Sequence, residues 1–348
     1  MPKPTVITSE YLSRNKDIFN FLTSVSDTTG RSFMGKWTQN LRDNRELFRQ
    51  CDWAATRLAD CEKGKTAIIM GSSPAIRNQV DQLREIQNDP DFVMCGLSSN
   101  LEFLLNNGIQ PKYLITVDAD ESTGAYWENL DMDKTKDITL VANIFAYPPM
   151  LKKWKGPLYF ISLGTADKKF ARKIEKWYGP ANGNGAEFPA LVAQFNMIAA
   201  ISFLIFGCPI LLFVGNELSF KDEDSGYYMD REDFRDKEKR FPHGDIHGDK
   251  VHTTYSLLAV KYVLEGFLEV ISGAGWFINC TEAGIFGITK RFPDLHVPWI
   301  HQLTLKNGIA QARQIMRTGE PFLDYANNSM VVVPNMASRV SWNQEVRQ

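Results

Sequence analysis

The feature that most constrains the fold is a repeated alternation between short apolar runs and stretches with helical spacing. The first run, Lys65–Met70, ends in Gly71-Ser72-Ser73-Pro74, and Ala75–Glu85 then places its apolar residues three and four positions apart. Such runs are typical of buried strands, and their alternation with helices predicts a mainly parallel, doubly wound α/β sheet. The later strands are predicted at Asp91–Gly96, Tyr113–Val117, Ile138–Ala142, Leu158–Ile161, Ile210–Val214 and Trp276–Cys280.

The overall charge and the cysteines exclude several classes of protein. The 348 residues carry a net charge of −2, without the basic excess that is typical of nucleic-acid binding. The five cysteines form no Cys-x-x-Cys pair, so we expect reduced thiols in a cytoplasmic protein, with neither disulfides nor a zinc site. The segment Met1–Thr5 has no apolar signal character, which agrees with that location.

One uncharged stretch, between Glu187 and Glu217, is long enough to span a bilayer. Two amide residues interrupt it, and Gly207-Cys208-Pro209 divides it into two parts. A spanning helix would not contain such a break followed by a β-rich run. We therefore predict a buried helix, Ala190–Phe206, followed by a buried strand, and no membrane span.

The chain is predicted to have three parts. Residues 1–63 form a helical lead-in, residues 64–300 carry the strand–helix units, and residues 301–348 form a C-terminal helix and tail. Residues 219–250 are crowded with charges of both signs, which indicates either a solvated loop or a lid outside the core. Because loops at the carboxyl ends of strands carry function in this class of fold, we favour the lid.

In doubly wound sheets, ligands bind at the carboxyl ends of the strands. Gly71, Ser72 and Ser73 lie at the first such end, where a strand-to-helix turn presents backbone N–H groups to an anion such as a nucleotide phosphate. Asp118 and Asp120 follow a later strand and form an Asp-x-Asp pair suited to holding Mg²⁺ against phosphate oxygens. The structural alternatives are an ordinary strand-to-helix turn and a capped strand end.

Further polar residues at predicted strand and helix ends extend this candidate site. His252 precedes a helix predicted from Thr253 to Ile271 and is the candidate general base, with a surface histidine as the alternative. Glu282 is suited either to binding sugar hydroxyls or to fixing its turn, and Asn100 either to binding the nucleotide or to capping a helix. His252, Glu282 and Thr253 are thus the catalytic candidates, and the remaining binding candidates are Asn143, Asn184, Gly185, Glu217 and Thr281.

Six short motifs follow one another between Leu41 and Gly287. They are Gly71-Ser72-Ser73-Pro74-Ala75, Gly108-Ile109-Gln110-Pro111 leading to Asp118, the Asn/Gly loop Gly179–Gly185 before a helix, Gly215-Asn216-Glu217-Leu218, Gly248-Asp249-Lys250-Val251-His252-Thr253 and Asn279-Cys280-Thr281-Glu282-Ala283-Gly284. Their order and spacing resemble the domain shared by bacterial motility-associated factors (Maf), which are flagellin glycosyltransferases, and archaeal 6-hydroxymethylpterin pyrophosphokinases. Ser73, Glu217 and Ala283 depart from the glycine, aspartate and glycine of the family pattern.

The resemblance implies a Rossmann-like domain similar to the sialyltransferase fold. One branch of the family would transfer a nonulosonic (sialic-like) acid from a CMP-activated donor to a protein or glycan acceptor. The other would transfer pyrophosphate from ATP to a pterin alcohol and would use Mg²⁺ at Asp118 and Asp120. We expect no tightly bound cofactor otherwise. The three departures keep a third hypothesis open, a non-catalytic member that binds a nucleotide-sugar or a protein partner.

Overall fold

The structure is a computed structural model that describes Asn20 and residues 33–163, 168–179, 187–188, 193–227, 237–288 and 297–319. A ten-stranded sheet, in which every neighbouring pair is parallel, organises this part of the chain. Its strands run in the order β1-β6-β5-β4-β3-β2-β8-β11-β12, with β7 paired to β6, and a separate hairpin joins β9 to β10. The strands are β1 Asp52–Trp53, β2 Thr66–Met70, β3 Phe92–Leu97, β4 Tyr113–Thr116, β5 Thr139–Asn143, β6 Leu158–Leu163, β7 Glu187–Phe188, β8 Ile210–Val214, β9 Phe241–Gly244, β10 Lys250–Thr253, β11 Trp276–Asn279 and β12 His301–Gln302.

Helices flank this sheet, so the predicted doubly wound α/β fold is confirmed. The helices are α1 33–43, α2 Arg45–Phe48, α3 Ala54–Arg57, α4 Val80–Ile86, α5 Leu101–Asn106, α6 Pro148–Lys153, α7 Lys168–Tyr178, α8 Gln194–Leu204, α9 Tyr255–Ile271 and α10 Leu305–Thr318. Three 3₁₀ helices span Pro74–Gln79, Glu121–Trp127 and Met132–Thr135.

The centre of the sheet is apolar on both faces. All five residues of β2 and all five of β8 are buried, as parallel strands covered by helices require. Helix α8 is almost uniformly apolar and packs across β2, β3, β4 and β8, which explains the uncharged stretch in the sequence. It is only 11 residues long, and among the described residues no helix has the length and apolar character to cross a membrane.

The chain changes direction across the sheet at β2. From β2 it proceeds outward through β3, β4 and β5 to β6, and it then returns to place β8 and β11 on the opposite side of β2. The switch point is therefore between β2 and β8. In open α/β sheets, the crevice at such a point is the usual location for a ligand.

The polar segment 219–250 is partly built into the core, contrary to the prediction of a loop or lid outside it. Phe220, Tyr227 and Ile246 are buried in the same apolar cluster as helix α8. The charged side chains of residues 221–224 lie on the exposed side, while the aromatic residues point inward. The high charge of the segment made this alternation hard to recognise in the sequence. Residues 228–236 lie outside the described part of the chain.

The helix predicted from Thr253 begins two residues later. Val251 and Thr253 are β-branched and belong to β10, which pairs with β9, while His252 forms an antiparallel bridge with Phe220. Helix α9 starts at Tyr255, and the Thr254 hydroxyl accepts the Leu257 N–H as its N-cap. His252 is therefore a strand residue.

The two outermost strands of the main sheet come from the segments predicted as a lead-in and a C-terminal part. Strand β1 pairs with β6, and β12 pairs with β11. Pairing of the outer segments with the central sheet makes both of them part of one hydrogen-bonded layer. The boundaries near residues 63 and 300 stay predictions.

Candidate functional site

The turn at the switch point uses its backbone donors within the chain. The Gly71 N–H donates to the Val214 carbonyl at 2.7 Å, and the Ser73 N–H donates to the Gly215 carbonyl at 3.1 Å. The Ala75 N–H, at the start of the helix, donates to Glu217 Oε2 at 2.8 Å. These three N–H groups therefore do not face an external phosphate, contrary to the prediction, because the end of β8 and the loop after it already bond them.

Gly71 is required here by backbone packing. A Cβ at this position would lie far inside the contact distance of the Gly215 carbonyl oxygen. Gly215 itself has a φ of 64°, in the left-handed region that favours glycine. The two glycines therefore let the β2 and β8 loops touch, which brings the Glu217 carboxylate to the helix start.

The backbone at Glu217 is held in place as well as its carboxylate. Its backbone N–H donates to the Ser73 hydroxyl at 3.2 Å, and the following residue, Leu218, has a φ of 53°. A left-handed conformation in a non-glycine residue costs about 1 kcal/mol or more, so the surrounding contacts must impose it. Burial raises the pKa of the Glu217 carboxyl, against the opposing effect of the Ala75 and Ser73 hydrogen bonds.

The raised pKa of Glu217 predicts a pH dependence of stability. A carboxyl whose pKa in the folded state exceeds the unfolded value of 4.5 contributes stability below that value and loses it as the pH rises through the folded pKa. Relative to a Glu217→Gln variant, the wild type should therefore lose unfolding free energy as the pH rises above 4.5. Urea unfolding of both proteins across this range measures the difference in unfolding free energy. If the wild type instead became more stable relative to the variant as the pH rises, the raised pKa of Glu217 would be contradicted.

A row of hydrogen-bonded polar side chains lies at the carboxyl ends of β2, β3 and β4. The Ser72 and Ser99 hydroxyls are 2.8 Å apart. The Ser98 hydroxyl donates to Gln194 Oε1 at 2.9 Å, and Gln194 Nε2 donates to Asp118 Oδ2 at 2.5 Å. We call these five residues the polar ridge. Ser99 and Asp118 are partly exposed, so the ridge offers hydroxyl and carboxylate groups to a ligand.

Gln194, Ser98 and Ser99 were not among the candidates drawn from the sequence. Gln194 is the first residue of α8, and it interrupts the long apolar stretch. A polar residue at the start of an otherwise apolar helix was the available signal. Its partner Asp118 is distant in sequence, so only the packing of α8 on the sheet brings the two together.

Two asparagines predicted to bind the nucleotide are buried instead. Asn100 is 1% exposed; its Oδ1 accepts the Leu97 N–H, and its Nδ2 donates to the carbonyls of Met70 and Gly71. Asn100 therefore ties the end of β3 to the end of β2 and has no surface for a ligand. Asn143 is also fully buried, and its Nδ2 lies 3.4 Å from the Val117 carbonyl.

The Asp-x-Asp pair is divided between two different roles. Asp120 Oδ2 forms an ion pair with Lys36 Nζ at 2.6 Å, and Oδ1 accepts the Ser122 N–H at 3.0 Å. The Lys36 hydrogen bond, together with the Ser122 N–H, lowers the pKa of Asp120 to about 2. A lysine ammonium already lies where a metal would bind Asp120, so Asp120 fits Mg²⁺ poorly. Asp118 fits better, and no cluster of three acidic, histidine or cysteine ligands occurs among the described residues.

Helix α1 positions the loops that follow β4 and β5. Asn40 Nδ2 donates to the Ala119 carbonyl at 2.9 Å and to the Phe145 carbonyl at 3.1 Å. One helical turn later, Asn44 Nδ2 donates to the carbonyls of Ile144 and Ala146 at 2.9 and 2.8 Å. Sequence reasoning assigned no role to this segment. The signal was a pair of asparagines four residues apart on the side of the helix that also carries Leu41.

His252 is mostly buried, and its two ring nitrogens differ. Nε2 lies 3.2 Å from Glu223 Oε1, whereas Nδ1 is buried without a hydrogen-bond partner among the described residues. Only Nε2 is therefore placed to exchange a proton with a substrate. The neighbouring Thr253 is fully buried and donates its hydroxyl to the Leu218 carbonyl at 3.0 Å. The prediction that Thr253 is catalytic is wrong, because its side chain holds the hairpin to the β8 loop.

Glu282 and Thr281 have structural partners. Glu282 Oε1 accepts the N–H of Leu305, the first residue of α10, at 2.9 Å, and it lies 3.3 Å from Gln79 Nε2. The Thr281 hydroxyl is buried and accepts the Asn216 N–H at 3.1 Å. The turn-fixing alternative thus describes Glu282 better than sugar binding does. Asn184 and Gly185 lie outside the described residues.

The sequence and the fold of this chain are similar to those of known proteins. A family model for "6-hydroxymethylpterin diphosphokinase MptE-like" proteins matches residues 36–223, which is more than half of the chain. The chain belongs to the MptE-like family. The match runs from α1 through β8 to Glu223, so it includes the whole polar ridge. Membership in the MptE-like family supports transferase chemistry. No curated protein sequence matches this chain.

The fold also resembles a solved structure, the MAf glycosyltransferase from Magnetospirillum magneticum AMB-1. The TM-score is 0.52 at 13% sequence identity, and the likeness covers 81% of this chain and 42% of that one. At this identity the likeness concerns the fold alone, and the MptE-like chain spans less than half the length of the MAf protein. The predicted resemblance to this domain family is confirmed by the MptE-like match, and the MAf protein shares the fold.

Proposed function

We propose that this MptE-like protein is a transferase that binds a nucleotide-activated small molecule along the carboxyl edge of β2 to β4. The observation that carries the proposal is that the family match spans the polar ridge, in which the Ser99 hydroxyl and the Asp118 carboxylate are partly exposed at this edge. Ligands of doubly wound folds bind at this edge, and hydroxyls and carboxylates hydrogen-bond the phosphate and ribose of a nucleotide.

The specific form of the proposal is glycosyl transfer from a CMP-activated nonulosonic acid to a hydroxyl acceptor. A CMP-sugar has a single phosphate and needs no metal to bridge two of them. The ion pair between Lys36 and Asp120 favours this form, because it occupies the second carboxylate that a two-carboxylate Mg²⁺ site would use.

His252 is the residue that this proposal assigns to proton transfer. Its Nε2 would take the proton of the acceptor hydroxyl while the acceptor oxygen bonds to the anomeric carbon. The bond from that carbon to the phosphate oxygen breaks, and CMP leaves with the electron pair. Glu223, 3.2 Å from Nε2, would stabilise the imidazolium that forms.

The second candidate is diphosphate transfer from ATP to a pterin alcohol. The description of the family itself favours it, and Asp118 is a partly exposed carboxylate at the right edge of the sheet. Mg²⁺ is commonly held by one or two carboxylates together with substrate phosphates, so Asp118 would supply the protein ligand. Bound Mg²⁺ would neutralise charge on the phosphates.

A thermal-shift panel with CMP, CDP, UDP, GDP and ATP, each with and without Mg²⁺, tests the proposal. A ligand present at a hundredfold its Kd adds about 2.7 kcal/mol to stability, so binding is readily detected. We expect CMP to stabilise the protein without Mg²⁺. Stabilisation by ATP only with Mg²⁺ would establish the second candidate instead. Absence of any nucleotide effect would leave the non-catalytic hypothesis.

Turnover of a His252→Ala variant tests the assigned base. Loss of a general base typically lowers kcat by about 10²–10⁴-fold. Glu223→Gln is the matched control for the ion pair, and it should lower kcat less than His252→Ala does. Full turnover by His252→Ala would show that His252 is not the general base. It would not contradict the proposed nucleotide binding.

A further inference from the structure

The position that a phosphate would take at the switch point already holds an anion. Glu217 Oε2 accepts the Ala75 N–H, the Gly71 N–H bonds to the last residue of β8, and the Ser73 N–H bonds to Gly215. A ligand phosphate placed there would meet a carboxylate of like charge and no available donor among those N–H groups. Both effects oppose the binding of a phosphate at this position.

The next polar groups along the edge belong to β3. Ser99 lies directly after Ser98 at the end of that strand, is partly exposed, and shares a hydrogen bond with Ser72 at the end of β2. Each hydroxyl has donor and acceptor capacity beyond this one bond. A phosphate oxygen at this pair would lie on the β3 side of β2, whereas Glu217 reaches the turn from the β8 side.

One strand further, Asp118 presents a carboxylate with a fixed orientation. Gln194 donates to Oδ2 at 2.5 Å and is itself held by the Ser98 hydroxyl at 2.9 Å. The two oxygens of a carboxylate together have about four acceptor positions, and hydroxyl donors to a charged oxygen form strong bonds. The vicinal hydroxyls of a ribose fit such an acceptor.

We propose that the nucleotide binds on the β3 side of β2, with its phosphate at Ser72 and Ser99 and its ribose hydroxyls at Asp118, because Glu217 occupies the β8 side of the switch-point turn. This inference rests on the proposed function, since it concerns how the same edge binds a nucleotide. It assigns Asp118 to ribose recognition in place of metal binding. Gln194 is a positioning residue that acts through Asp118.

Matched ribo- and deoxyribonucleotides test the ribose contact. Kd values are measured by calorimetry for CMP against 2′-deoxy-CMP and for ATP against 2′-deoxy-ATP, without metal. A hydrogen bond to a charged group contributes about 1.5–3 kcal/mol, so the wild type should prefer the ribonucleotide by about tenfold or more. Asp118→Asn should reduce this preference to about twofold, which a purely structural role would not do.

A second set of variants tests the phosphate position. Ser99→Ala should raise the Kd for CMP about fivefold, since loss of one hydrogen bond costs about 1 kcal/mol. The Kd for cytidine, which has no phosphate, should not change. Glu217→Gln should keep the wild-type preference for ribose and for phosphate. Ser272→Ala, at the far end of α9, is the control for an exposed hydroxyl that bonds only to the Glu269 carbonyl.

The outcomes separate this inference from the proposed function. Nucleotide binding with equal affinity for ribo and deoxy forms, or a Glu217→Gln variant that binds CMP tenfold more tightly, would overturn the inference alone. The second result would place the phosphate beside residue 217. If the wild type binds none of the nucleotides, the proposed function fails and the inference fails with it.

Discussion

Replacing Gly71 by alanine should destabilise the protein by about 3 kcal/mol, the upper part of the range for overpacked sites. The new Cβ would overlap the Gly215 carbonyl oxygen and approach the Phe195 ring, so the β2 and β8 loops would have to separate. Backbone atoms cannot move aside as a flexible side chain can. Urea unfolding of the variant and the wild type measures the change in free energy.

Gly35→Ala is the matched control for this variant. Gly35 lies in helix α1, and among the described residues no heavy atom beyond its neighbours and the helix backbone is within 4 Å of the position that its Cβ would take. Alanine is favoured over glycine in helices by about 1 kcal/mol, so the control should be neutral or slightly more stable. If Gly71→Ala keeps full stability and loses only nucleotide affinity, the glycine serves ligand approach, as its sequence motif first indicated.

Replacing Lys261 by methionine should cost about 3–5 kcal/mol, because it leaves a buried charge without its partner. Lys261 and Glu265 are one turn apart in α9 and fully buried, with Nζ 2.8 Å from Oε2. The other carboxylate oxygen accepts the Gly287 N–H at 2.8 Å, and the Glu265 carbonyl accepts the Trp299 indole N–H. The pair thus ties α9 to the segments after β11.

The double variant Lys261→Met/Glu265→Gln makes this test specific. Glutamine keeps an acceptor for the Gly287 N–H but carries no charge, so the double variant should be about 2 kcal/mol more stable than Lys261→Met alone. Arg49→Met is the control, because it breaks an exposed pair with Glu46 that is worth at most about 1 kcal/mol. Equal losses for Lys261→Met and Arg49→Met would show that burial is not the cause.

Much of the sheet was predictable because its signals are local. The strand at Thr66–Met70, the helix Leu101–Asn106 and its left-handed stop at Gly108 follow from apolar runs and turn residues within a few positions. The errors arose where charge and burial alternate. Phe220 and Ile246 lie in a highly charged segment, and Thr253 directly precedes a helical pattern, so local composition pointed away from their strand and core positions.

The candidate site was predictable to the edge of the sheet and no further. The carboxyl-end rule located Ser72 and Asp118 correctly on that edge. It also selected Asn100 and Thr281, which are buried and bonded to the backbone of neighbouring strands and loops. A polar residue after a strand serves a ligand or the fold, and only its partners distinguish the two roles.

The turn after β2 shows the same difference between what local sequence and what tertiary contacts determine. The sequence by itself determined a buried strand, a glycine and a helix start at Thr66–Pro74, because these depend on local propensity and on the missing N–H of proline. Only the tertiary structure decided which anion meets that helix start. Glu217 is more than 140 residues away in the chain, and parallel pairing of β2 with β8 brings its carboxylate to the Ala75 N–H. Register between distant strands is set by the whole core, so no local pattern records it.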